Sequence, residues 1–144
     1  MPNIYVRIDG ISGDSQDPAR RAWFLADLIK GRKSTNSHLS AFKRHYDLAV
    51  LSSSSSRTFI ALMDATNREL VAERGQFEWV VSDSEKLSVS FEDVVFVACR
   101  SQGEYCITTL EVSEINFDTS ARVSFDPWNF TVPTYSGLAK YVTF

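Results

Sequence analysis

Ile4-Tyr5-Val6-Arg7-Ile8-Asp9-Gly10-Ile11-Ser12-Gly13-Asp14-Ser15-Gln16-Asp17 sets the architecture of the chain. Ile4, Val6 and Ile8 fall on one face and Tyr5, Arg7 and Asp9 on the other, which is the two-residue period of a strand with one buried side. Asp9-Gly10 and Ser12-Gly13 are turn dipeptides, so the strand breaks into a tight loop rich in glycine and acids. This reading gives a half-buried strand and a loop, and leaves function open.

The rest of the chain extends the β pattern. Aromatics are plentiful, with ten Phe, five Tyr and three Trp, and most lie in short alternating runs. Gly75 to Ser82, Leu87 to Arg100, Glu104 to Phe117 and Ala121 to Val132 read as strands, with turns at Asp83-Ser84-Glu85-Lys86 and Asp118-Thr119-Ser120. Gln102-Gly103 sits at hairpin spacing, which would pair Ser101 with Glu104, Arg100 with Tyr105 and Cys99 with Cys106. Val95 would then face Leu110, and Ala98 would face Ile107. Ala41 to Leu51 is a further strand, followed by the run Ser52 to Ser56, read as a loop. Thr58 to Asn67 reads as a short helix with Phe59, Leu62 and Met63 on one side.

Residues 18–30 carry helix signals: Asp17 as N-cap, Pro18 at the first helical position, Ala22, Leu25 and Ile29 at helical spacing, and Gly31 as a stop. As a strand, the same segment would put Trp23, Leu25 and Asp27 on one face and Phe24, Ala26 and Leu28 on the other, a poor alternation. Gly31 to Ser40 reads as a polar surface loop. The fold class expected is mainly β, an antiparallel β-barrel of two packed sheets with one short α-helix and a second helix open near the N-terminus. At 144 residues the length fits a single domain over 1–144.

Charge and targeting narrow the function classes. The net charge is −3 and no basic run exceeds Arg20-Arg21 or Arg32-Lys33, so no nucleic-acid footprint is expected. Met1-Pro2-Asn3 leads straight into a charged strand, without the apolar core or cleavage site of a signal peptide, and no stretch approaches a membrane span. The expectation is a protein folded in the cytoplasm that leaves, if it leaves, without a Sec signal and does not insert into a membrane.

Few residues carry candidate chemistry. Cys99 and Cys106 are the only cysteines, and their spacing matches no common zinc site. On the hairpin above, their sulfurs share a face on adjacent strands. They read as two buried thiols, or as a disulfide formed after export. A Cys99, His45, Asp47 triad can be written, but no nucleophile signature accompanies it, and His38 and His45 read as surface histidines. Glu92-Asp93 and Glu111 with Glu114 read as solvated edge charges. No catalytic residue, metal or cofactor is expected.

Two stretches resemble a known family. The opening strand with Gly13-Asp14-Ser15-Gln16-Asp17 resembles the start of the haemolysin-coregulated (Hcp) proteins, which build the inner tube of type VI secretion systems. A strand containing Asp47-Leu48, then a Ser/Thr stretch, then a short apolar helix is similar to the same family. The resemblance implies a β-barrel in which residues 18–30 form a second strand. It also implies a structural subunit that assembles into hexameric rings, stacks, and is exported with effector cargo alongside other type VI components. It places subunit contacts in the opening loop at Asp14, Ser15 and Asp17, and in Gly31–Ser40 at Arg32, Lys33 and Asn36. The competing class is a monomeric or dimeric β-sandwich binding module that would use exposed aromatics such as Trp79, Trp128 and Tyr135.

Overall fold

A computed structural model describes residues 2–34, 45–119 and 125–144. Among the described residues, eight strands form one antiparallel sheet in the order β2-β1-β5-β6-β7-β4-β3-β8, curled into a half-barrel. They are β1 (Asn3–Ile8), β2 (Phe24–Ala26), β3 (Leu28–Lys33), β4 (His45–Ser53), β5 (Val71–Ser82), β6 (Glu85–Gln102), β7 (Tyr105–Thr119) and β8 (Asn129–Pro133). One helix, α1 (Arg57–Asn67), follows β4.

The concave face holds the main core. Ile4, Val6 and Ile8 of β1 enter it as their alternation requires, together with Phe24, Ala26, Phe77, Val89, Phe91 and Leu110. Leu62 and Ala65 of α1 join the same cluster. Thr58, Leu62 and Ala65 are the helix residues buried, so Met63, expected inward, faces solvent instead.

A smaller core covers the outer face of β3, β4 and β7. Leu28, Ala49, Leu51 and Ile107 pack there under Leu138 and Val142, with Tyr105, Tyr141 and Phe144 beside them. The covering comes from a 3-10 helix, Ser136–Tyr141, and the residues after it. Strand β4 is therefore buried on both faces, which accounts for the unbroken apolar run Leu48-Ala49-Val50-Leu51.

Residues 18–30 form no α-helix: one 3-10 turn at Pro18–Arg20 gives way to the strands Phe24–Ala26 and Leu28–Lys33. Asp17 does cap, its carboxylate accepting from the Ala19 N–H at 2.9 Å, but the 3-10 helix it starts ends at Arg20. Ala22 then takes φ 66°, a left-handed conformation that no helix continues. Phe24 and Ala26 follow as strand residues buried in the core. Burial of these side chains in the sheet overrides local helix propensity. Gly31 is no helix stop: it is buried within β3, opposite Phe130 of β8, so Gly31–Lys33 are strand and not surface loop.

Other boundaries move as well. Ser52 and Ser53 complete β4, and Ser56 caps α1. The strand expected over 121–132 is confined, among the described residues, to Asn129–Pro133, and part of that span lies outside them. Val71 begins β5 four residues before the expected Gly75. In the β6–β7 hairpin the turn is Gly103-Glu104, with Gly103 at φ 62°, so Gln102 pairs with Tyr105 and Ser101 with Cys106. Bulges near Phe96 and Glu92 then bring the register partly back toward the expected one. Phe96 rather than Val95 faces Leu110, and Arg100 rather than Ala98 faces Ile107.

Candidate functional site

Each polar residue of the Gly13-Asp14-Ser15-Gln16-Asp17 loop named above for subunit contact has a task inside the chain. The Gly13 N–H donates to the Ala22 carbonyl at 3.0 Å and the Ser15 N–H to the Trp23 carbonyl at 2.8 Å, so the loop lies against the approach to β2. Ser56 Oγ donates to Asp14 Oδ2 at 2.8 Å and Thr58 Oγ1 to Asp14 Oδ1 at 2.9 Å, while Ser56 Oγ accepts from the Thr58 N–H at 3.0 Å. Asp14 thus extends the cap of α1 from 42 residues upstream. Ser15 Oγ accepts from the Asp17 N–H at 3.2 Å.

Burial works against the Asp14 charge. The hydrogen bonds from Ser56 and Thr58 outweigh it, with backbone donors including Arg57 adding to them, and hold the carboxyl below its ordinary value of 3.8. A carboxylate depressed on folding contributes stability above its unfolded value, and that contribution is lost as pH falls through the folded value. Asp14→Asn is expected to cost about 1 kcal/mol at pH 7. Urea unfolding measured from pH 7 downward should show the gap between parent and variant closing below about pH 4. A gap that stays constant to pH 2.5 would reject the pairing.

A second anchor ties the loop to the sheet. Arg20 donates to Asp17 Oδ2 at 2.8 Å and to Glu78 Oε1 at 3.3 Å, and its guanidinium lies 4.5 Å from the Tyr5 ring centre. Glu78, buried, also receives Lys86 Nζ at 3.0 Å and Ser88 Oγ at 3.3 Å. Burial alone would raise the Glu78 carboxyl, but Lys86 and Arg20 bring it below its ordinary range. Arg20 and Glu78 were not singled out from the sequence; an acid at a buried strand position was the signal available.

On the other side, Arg32 pairs with Asp47 at 3.2 Å and its guanidinium sits 4.5 Å from the Phe144 ring centre. Lys33 Nζ lies 4.5 Å from the Trp128 ring centre. Both basic residues lie at the C-terminal end of β3, between β4 and β8. Asn36 and His38 lie outside the described residues. Trp128 and Tyr135 are about half exposed, whereas Trp79 is half-buried in a cavity with Leu87, Phe125 and Phe130. Exposure of Trp79, expected from the sequence, is not found.

The written triad does not assemble. Cys99 stands opposite Thr108 and His45 opposite Ser113, five residues further along β7, roughly 17 Å at ~3.4 Å per residue. His45 is buried rather than on the surface, and Asp47 is held by Arg32. Asp93, at a bulge with φ 51°, accepts from Ser113 Oγ at 2.7 Å. Cys99 and Cys106 are free thiols on one face, placed diagonally rather than directly opposite, with sulfurs 3.4 Å apart. Among the described residues no group of three or more His, Cys, Asp or Glu could hold a metal ion, and no helix is long and apolar enough to cross a membrane.

Known structures share the fold of the described residues. Hcp2 from Salmonella typhimurium matches with a TM-score of 0.61 at 17% identity, over 90% of this chain and 92% of that one. The fold is that of the Hcp proteins. Hcp1 from the same organism matches with a TM-score of 0.60 at 17% identity, over 90% of this chain and 91% of its own. A structure described as a type VI secretion system effector from Yersinia pestis matches with a TM-score of 0.51 at 17% identity, over 79% and 82%. No protein-family model and no curated protein matches the chain. The chain is thus Hcp-like in fold and far from those Hcp structures in sequence.

Proposed function

We propose that this chain is a divergent member of the Hcp family and a structural subunit of a type VI secretion inner tube. It forms hexameric rings that stack and leave the cell with effector cargo. The observation that carries this reading is the match to Hcp2 across 90% of this chain and 92% of that one. A ring needs two different, complementary patches on each subunit, and stacking needs a second such pair. A sheet with cores on both faces gives a stiff wall for such contacts. The opening loop and the segment from Gly31 to Ser40 are the ring contacts in this reading, with strand faces lining the lumen.

Native mass spectrometry with negative-stain imaging tests it. A species of six times the 16.2 kDa chain mass, seen as open-centred rings, is the expected result. A monomer at all accessible concentrations would instead favour a binding module built around the half-exposed Trp128 and Tyr135. Within the ring reading, the double variant Arg32→Glu, Lys33→Glu should weaken assembly at least roughly tenfold, yet cost the fold only about 1 kcal/mol because the Arg32–Asp47 pair is partly exposed. Thermal unfolding and native mass spectrometry on the same samples separate the two effects. Assembly equal to the parent's would remove β3 from the contact.

A further inference from the structure

The β6–β7 hairpin holds a pair of free thiols near its tip. Cys106 is fully buried and Cys99 half-buried, their sulfurs 3.4 Å apart. Thr108 Oγ1 donates to Cys99 Sγ at 3.6 Å and lies 3.7 Å from Cys106 Sγ. The hydrogen bond from Cys106 brings the Cys99 thiol down to about 7, against burial and with help from Thr108. That same bond, together with burial, pushes Cys106 up. One sulfur is thus a reachable thiolate near neutral pH, and the other is its buried donor.

We propose that Cys99 and Cys106 form a redox-modification site for small disulfides of the glutathione class, with Cys99 attacking and Cys106 resolving. The Cys99 thiolate attacks one sulfur of oxidised glutathione, the S–S bond breaks, and the departing glutathione thiolate takes up a proton. The product is a mixed disulfide on Cys99. With the Cys99 charge gone, Cys106 no longer donates to a thiolate; it gives up its proton and attacks the Cys99 sulfur, displacing the second glutathione. Two protein thiols become one disulfide while one oxidised glutathione becomes two reduced molecules. Nothing in this step depends on ring formation.

The full folded chain is incubated with oxidised glutathione, quenched in acid, and its intact mass read. The parent should lose the mass of two hydrogens. Cys106→Ser should stop at one glutathione adduct on Cys99, and Cys99→Ser should take none while folded. On the unsubstituted parent, iodoacetamide followed by peptide mapping should label Cys99 at least roughly tenfold faster than Cys106, which keeps the test independent of the variants' folding. Two thiols that stay free in the parent, or equal labelling of both, would overturn the proposal.

Discussion

Gly13→Ala is expected to lower the unfolding free energy by about 3–5 kcal/mol, the overpacking strain of a Cβ with no space plus two lost hydrogen bonds. A Cβ at residue 13 would collide with the carbonyl carbon and oxygen of Trp23 and the carbonyl oxygen of Ala22. These are backbone atoms, so no rotamer change relieves the contact. The loop must lift, and the bonds from Gly13 N–H to Ala22 and from Ser15 N–H to Trp23 go with it. Asp14 is then drawn away from Ser56 and Thr58, so the start of α1 loses its second cap. Chemical denaturation and amide exchange should agree, with Thr58 and Phe59 amides exchanging faster in the variant. Stability within 1 kcal/mol of the parent would show that the loop is not held as described.

Phe77→Ala should cost about 3–5 kcal/mol by leaving a cavity in the concave core. Phe77 is 0% exposed and stacks on Phe130 with ring centres 6.1 Å apart and planes 22° apart. Phe130 in turn packs on Phe125 at 4.7 Å, so the loss reaches the far edge strand β8. Ile60→Ala, on the exposed face of α1 at 71% exposure, is the control and should change stability by no more than about 0.5 kcal/mol. Equal costs at the two positions would mean that Phe77 does not organise the core.

What was legible in the sequence was local. The alternation of β1, the apolar runs of β5 to β7 and the helix near 57–67 depend on neighbours a few residues away, and their existence and type follow from period alone. The segment 18–30 was ambiguous because its cap and proline are real: they are used, for one 3-10 turn, before Phe24 and Ala26 take places between strands distant in sequence. That β4 is buried on both faces was not legible, because nothing near it in the chain shows that Leu138 and Val142 return to cover its outer side. The loop motif was recognisable, but its partner Thr58 lies 44 residues away, a link that no spacing rule supplies. The hairpin register was missed at the turn itself, since placing it at Gln102-Gly103 instead of Gly103-Glu104 moves every partner by two residues, and bulges beyond Ala98 then shift the pairing again.

β2 and β3 lie near opposite ends of the sheet order, yet only Asp27 separates them in the chain. The Asp27 N–H donates to the Leu51 carbonyl at 2.7 Å, and its carbonyl accepts from the Thr134 N–H at 2.9 Å. A single stretch therefore pairs first with β1, at one end, and then with β4 and β8, at the other. In kinetic terms, this stretch cannot complete its pairing until strands separated by more than a hundred residues have met, so closure is a late and entropically costly event. The same coupling makes unfolding cooperative: the sheet cannot fray from the β2 end without pulling on the β3 end.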